Sequence, residues 1–365
     1  MFALLNTISD FLKPETLYHI IAFFAVITIV FVCLIFWYLW QKKKNFFLRK
    51  AIQKSFELWL SKIMLEEDES ENIPFHIPAK FTKHFKNPAK RQFLIDELIT
   101  MKRNFTGGPG DNLIKLYLQL GLKKDSLSKF QSLVWHKKAK GINELYVMHQ
   151  EDMIPKIFKH TNNANEFVRM EAQTAMISFL GFEGLRFLDV VTFPISDWQQ
   201  VKILEQLRPL DVGEMKNLDK WLSSSNDTVI IFALKLADIY QQFQVYEQVV
   251  KCLGHQDEKI RVQAVQTMVR IEEEDTASTL AEQYFKEKFT NRLNILNNII
   301  AVASDKEKGF LLRQLDDEND FLKLGAARVI GRCCTNGMEM LQQKALAQPQ
   351  PYEQIYHHVK RELAR

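Results

Sequence analysis

The chain has 365 residues, 47% of them hydrophobic and 25% charged, which excludes a disordered chain and leaves room for two or three domains or one extended array. A net charge of +4 over this length is too dilute for the concentrated basic face that nucleic-acid binding needs. Gly (13) and Pro (10) are scarce and Phe (27) abundant, a balance that disfavours many tight β-turns and suits long packed helices.

In chain order, the first predicted element is a membrane span. Thr16 to Gln41 contains no Asp, Glu, Lys or Arg. About 20 helical residues cross a hydrocarbon core of ~30 Å, so the run Ile20–Trp40 is long enough. Trp37, Tyr38 and Trp40 mark one membrane–water interface, with Tyr18 and His19 near the other. A cleaved signal peptide would carry a basic leader and a shorter apolar run. Here Asp10, Lys13 and Glu15 precede the run, which favours an uncleaved anchor. Lys42, Lys43 and Lys44 follow it, with Arg49 and Lys50, so the positive-inside rule places the C-terminal side in the cytoplasm. The expected layout is a short extracytoplasmic N-terminus (1–16), a transmembrane helix (17–41) and a single pass through the inner, plasma membrane.

Residues 42–71 begin as a basic amphipathic helix. Phe47, Ile52, Phe56, Trp59, Leu60, Ile63 and Met64 recur at helical spacing. Two readings stay open: a helix lying on anionic headgroups, or a stalk packed on its own domain or a partner. The acidic knot Glu66–Glu71 ends the pattern. Residues 72–88 hold three prolines and read as an extended linker.

Residues 89–142 read as an N-terminal helical capping region. Arg91–Phe105 is a helix, Thr106–Asp111 a turn and Asn112–Leu122 a second helix. The Gly-Gly-Pro-Gly of that turn lacks the Lys-Ser/Thr of a phosphate-binding loop. A further helix pair follows, with a break expected around Lys140-Gly141.

From 143 to 337 the chain repeats itself. Ala172, Ile203, Ala233, Ala264, Ile295 and Ala326 lie 31, 30, 31, 31 and 31 residues apart. Four residues after each comes Met176, Leu207, Ala237, Met268, Ile299 or Ile330, an apolar i, i+4 edge. Seven before stand Asn165, Ser196, Asn226, Asp257, Lys288 and Asn319, five of which are helix N-cap types. Three before stand Arg169, Gln200, Ile230, Arg261, Arg292 and Lys323. Apolar helical segments alternate with these, so one period of ~31 residues is an antiparallel helix pair that buries its face only by stacking on neighbours. The predicted fold is all-α: an α-solenoid preceded by one transmembrane helix and closed by C-terminal capping helices (338–365).

The stretches Asn163–Gly181 and His255–Ile271 carry a polar cap, a branched apolar residue, Arg and then Ala at the close-packed position. In these features the chain resembles the HEAT-repeat family, with the compact period of HEAT-like units in bacterial proteins. The whole plan resembles membrane-anchored bacterial HEAT-repeat proteins. That resemblance implies a scaffold or adaptor that binds protein partners at the membrane. It also implies an alternative, an accessory subunit of a membrane glycosyltransferase, polysaccharide or transport machine. A HEAT-like lyase is the minor alternative.

Four cationic repeat positions, Arg169, Arg261, Arg292 and Lys323, are the candidate partner-binding residues. The competing reading gives each a structural role, bonding the cap or a loop carbonyl of the neighbouring repeat. The membrane-interface candidates are Trp37, Tyr38, Trp40, Lys42, Lys43 and Lys44. The lipid bilayer and a protein, with a glycosyltransferase as one candidate, are the expected partners. No cofactor, metal or nucleic acid is expected. Cys33, Cys252, Cys333 and Cys334 show no CxxC spacing, and His357-His358 has no ligand partner at metal spacing. No hydrolase, zinc-protease, phosphate-loop or kinase signature occurs, so no catalytic residue is assigned.

Overall fold

The computed structural model describes residues 14–65, 74–82, 84–105, 107–210 and 215–364. The N-terminal segment before Pro14 and the acidic knot Glu66–Glu71 lie outside the described residues. Among the described residues the chain is all-helical, with no strand. It forms two compact units, Met1–Asp125 and Ser126–Arg365.

In the first unit, α1 is a single helix from Pro14 to Leu65, 52 residues long. The expected transmembrane and juxtamembrane helices are thus one continuous rod, because no Gly or Pro interrupts it after Pro14. The side chains of residues 44–53, Phe47 and Ile52 among them, lie outside the described residues, whereas the last turns of α1 are packed. Phe56, Trp59, Leu60, Ile63 and Met64 are buried within their own unit.

The segment expected as an extended linker is docked on that face. A helical turn, α2 (Ala79–Thr82), is followed by a 3-10 turn at His84–Lys86. Phe81 stacks on Phe56 with ring centroids 4.5 Å apart, and the Trp59 indole donates to the His76 carbonyl at 3.2 Å. Aromatic burial offsets the ordering of a proline-rich strip, which proline has already made inexpensive.

Helix α3 (Pro88–Asn104) starts where the Asn87 side chain accepts from the Ala89 amide and Pro88 supplies a preset φ. Helix α4 runs from Gly108 to Gln119. The Gly-Gly-Pro-Gly run is therefore not a free turn; three of its residues form the first turn of α4. Pro109 tolerates that position because its missing N–H would have no partner there. Gly110 is required by close approach, since a Cβ would sit 2.8 Å from the Phe105 carbonyl oxygen. The Asn112 amide donates to the Ile63 carbonyl at 3.0 Å, tying α4 to α1.

The boundary between the units falls in α5 (Lys123–Phe130). Helix α6 spans Trp135–Val147 without a break at Gly141. Glycine is there for packing: a Cβ would meet the Phe130 amide nitrogen at 2.4 Å. The break lies instead in the turn Gln131–Val134.

The second unit continues with α7 (Ile154–Phe158) and then the helices that carry the repeat. These are α8 (Glu166–Leu180), α9 (Asp197–Leu207), α11 (Asp227–Ile239), α13 (Glu258–Arg270), α15 (Phe289–Ile299) and α17 (Asp320–Cys333). All twelve seam residues named from the period are at most 1% exposed. Helix α8 packs on α9, α11 on α13, α13 on α15 and α15 on α17.

The alternating elements are shorter than the sequence suggests: α10 (Leu218–Leu222), α12 (Tyr246–Cys252), α14 (Thr276–Tyr284) and α16 (Lys308–Leu315). The first of the series, Gly181–Asp189, is a 3-10 helix. It leaves α8 through Gly181 at φ +56°, and Gly184 lies so close to Met176 that a Cβ would meet the Met176 carbonyl oxygen at 2.3 Å. Helices α18 (Gly337–Ala347) and α19 (Pro349–Leu363) pack on α17 and on each other.

The five cap-type residues are caps. Side-chain oxygens of Asn165, Ser196, Asn226, Asp257 and Asn319 accept from backbone amides of the first turn. Lys288, which offers no acceptor, makes no such bond. Asp257→Ala is expected to cost about 1 kcal/mol, and Asp257→Asn much less. Urea midpoints of the two variants check this; equal losses would remove the cap from the account.

Polar links join positions roughly one period apart. Thr267 Oγ1 donates to the Leu234 carbonyl at 3.1 Å, Asn294 Nδ2 to Val262 at 3.3 Å, and Gln283 Nε2 to Leu253 at 2.9 Å. Ile230 breaks the basic pattern and is buried. Its joint is held instead by the Asn226 amide, which donates to the Phe193 carbonyl at 3.0 Å.

Candidate functional site

Two sets of candidate residues come from the sequence, one on α1 and one along the repeats. On α1, Ile21–Lys43 is long and apolar enough to cross a membrane, with a mean hydropathy of 2.7, and the span is unburied within the molecule. Its one aliphatic hydroxyl is satisfied within the helix, Thr28 Oγ1 donating to the Phe24 carbonyl at 2.8 Å. That arrangement suits hydrocarbon, where an unpaired donor is expensive. Trp37, Tyr38 and Trp40 are exposed, and the Lys42 ammonium lies 6.0 Å from the Tyr38 ring centroid. Lys42 and Lys43 are exposed; the Lys44 side chain lies outside the described residues.

The repeat cations all have internal bonds. Arg169 is buried, and its Nη1 donates to the Asn163 carbonyl at 2.7 Å. Its guanidinium stands over the Phe193 ring at 4.7 Å, and burial lowers its pKa. Arg261 repeats the pattern, donating from Nη1 to the carbonyls of His255 and Gln256, both at 2.9 Å. Arg292 Nε donates to the Glu287 carbonyl at 2.8 Å, with its guanidinium 5.3 Å from the Tyr284 ring centroid. Gln200, at the same repeat position, donates to the Ile195 carbonyl at 3.2 Å. The repeat position thus reaches back five or six residues to close the loop entering its own helix. Lys323 differs, pairing with Asp320 at 2.9 Å.

Arg261 adds a fork: Nε and Nη2 donate to the two carboxylate oxygens of Glu287 at 2.7 and 3.0 Å. Burial would raise the Glu287 carboxyl, but the hydrogen bonds from Arg261 and Gln283 outweigh it and hold it below the usual carboxylate range. Glu171, two residues after Arg169, accepts from the Asn143 amide at 3.2 Å.

Sequence reasoning also missed a cluster near the C-terminus. Arg328 donates from Nε and Nη2 to the Glu362 carboxylate, both at 2.7 Å, and His358 Nε2 lies 3.3 Å from the same carboxylate. Contrary to the sequence reading that left His357-His358 without a partner, Glu362 stands at i, i+4 from His358, a usable signal; Arg328, 34 residues away from Glu362, was not. Arg328, Glu362 and Arg332 rim a hollow of about 430 Å³ floored by Leu296, Ile300 and Val359. The thiols are quiet. Burial pushes Cys252 up to about 11 and raises Cys333 and Cys334, so all three are protonated at neutral pH. Among the described residues, no group of three or more His, Cys, Asp or Glu could hold a metal ion.

The described residues thus define an all-helical chain with one helix among them long and apolar enough to span a membrane. No family model and no curated protein matches the chain. Among solved structures, it is similar to an engineered protein crystallised by the Northeast Structural Genomics Consortium. The alignment covers 87% of this chain and 95% of that one, at 13% identity and a TM-score of 0.37.

Proposed function

We propose that this chain is a single-pass membrane protein whose second unit is a HEAT-like α-solenoid, a scaffold that holds a protein partner at the membrane. The observation that carries the reading is the seam: six helices at one period, each buried along the same i, i+4 edge, five of them capped at the N-terminus by a side chain. Stacked repeats of that kind form extended surfaces that bind proteins. Because Arg169, Arg261 and Arg292 close their own loops and Lys323 pairs with Asp320 in its own helix, the partner contacts belong to other exposed side chains.

The apolar part of α1 is the anchor. Its uninterrupted continuation into a packed face argues for a retained helix, since cleavage would have to cut inside a helix. Lys42, Lys43 and Lys44 set the C-terminal side in the cytoplasm. Confinement to two dimensions raises the effective concentration of any partner in the same membrane.

Affinity purification of the full chain in mild detergent, with C-terminal reporters for sidedness, tests the reading. The expected result is a stoichiometric partner and a cytoplasmic C-terminus. Recovery of the chain alone after in-membrane crosslinking would remove the scaffold function, and an external reporter would reverse the orientation.

A further inference from the structure

From Ser126 to Asn143 the chain carries Lys129, Lys137, Lys138 and Lys140 and no Asp or Glu. In the middle of this basic stretch, the turn between α5 and α6 projects Leu133, which is 98% exposed. Val134 and Trp135 follow, both exposed. The Trp135 ring lies against Phe167 of α8, with centroids 4.9 Å apart and planes 24° from parallel, and Phe167 is itself exposed. A lone exposed apolar side chain is ordinary; a projecting Leu-Val-Trp tip backed by a stacked ring is a patch that needs a partner.

The tip is held in shape. The Ser132 amide donates to the Lys129 carbonyl at 3.0 Å, and the Val134 amide to Ser132 Oγ at 3.2 Å. Beside it is a hollow of about 400 Å³ lined by Ser128, Lys129, Gln131, Ser132 and Lys137. Lys129 is committed to the buried Glu144 at 2.5 Å, which leaves Lys137 as the exposed cation of the hollow. Hydroxyls, an amide and an ammonium are the donors that a phosphate ester accepts from.

We propose that this turn is a second membrane contact, in which Leu133, Val134 and Trp135 enter the interface of an anionic bilayer while Lys137 meets its phosphates and Lys138 and Lys140 add to the positive field. Three features select a bilayer over a protein. The apolar residues project and do not line a recess. Trp sits favourably at the headgroup level. Lysines crowd the patch, whereas the cores of protein interfaces are depleted of lysine and anionic leaflets attract it. This contact is separate from the α1 anchor and requires no protein partner.

The test uses the full chain in nanodiscs of phosphatidylcholine alone or mixed with phosphatidylserine. Amide exchange of residues 131–136 is followed by mass spectrometry. Exchange is expected to be slower on the acidic discs, with the protection abolished by Leu133→Ser and cut about fivefold by Lys137→Gln. Leu133 touches too little for its replacement to endanger the fold, and exchange across Ala172–Met176 monitors folding in the same samples. Equal exchange on both lipids overturns the proposal. So does protection that persists in lipid-free detergent, which would mean that protein covers the turn.

Discussion

A chain cut to begin at Asn72 should lose the fold of its first unit, while one beginning at Lys44 keeps it. Residue 72 looks like the natural start of a soluble fragment, since an acidic knot and prolines precede the helices. Yet Phe56, Trp59, Leu60, Ile63 and Met64 belong to the core of that unit, and Phe81 stacks on Phe56. Emptying a single such site costs about 3–5 kcal/mol for Phe or Trp. Five together exceed what a domain holds in reserve, roughly 5–15 kcal/mol. Limited proteolysis across Pro88–Gln119 separates the cases. Equal resistance in both fragments would show that the end of α1 is dispensable.

Removing Glu287 is expected to be the most damaging single polar change in the second unit. Its side chain is fully buried and is gripped by Arg261, itself only 16% exposed. Glu287→Ala leaves that guanidinium facing a cavity, at a cost of about 3–5 kcal/mol. The pH dependence has a definite sign. The folded carboxyl titrates below its unfolded value of about 4.3, so its stabilisation is complete above that pH. It is lost as pH falls through the folded value. Urea midpoints for wild type and Glu287→Gln should therefore differ most at neutral pH and converge in acid. A constant difference at every pH would detach the pair from the titration.

Sequence periodicity predicted the repeat helices well because their determinants are local. A cap, a first-turn amide and an i, i+4 edge all lie within a dozen residues, so Asn165, Ala172 and Met176 announce one another. The aromatic docking of Phe81 on Phe56 was hidden because partners 25 residues apart share no helical phase. Gly141 misled for a related reason. A glycine inside a helical pattern reads as a break, and only the Phe130 backbone beside it shows that it is a point of contact. For the cations, the period named the residues and admitted a structural bond, but placed it on the neighbouring repeat. Arg169 and Arg261 close instead on carbonyls of the loop entering their own helix, a local reach that the period does not encode.

On the proposed reading, the unbroken α1 makes the anchor a key with a fixed angular phase. A helix advances about 100° per residue, so each side of its apolar span is locked in azimuth to the face of Phe56, Leu60 and Ile63. Inserting two alanines near residue 48 would swing the first unit by about 200° around the membrane normal. Inserting seven, about two full turns, would restore its bearing while lifting it about 10 Å. On the proposed scaffold reading, a partner embedded in the same bilayer would accept the seven-residue insertion far better than the two-residue one, and neighbours would be selected by rotation as well as by distance.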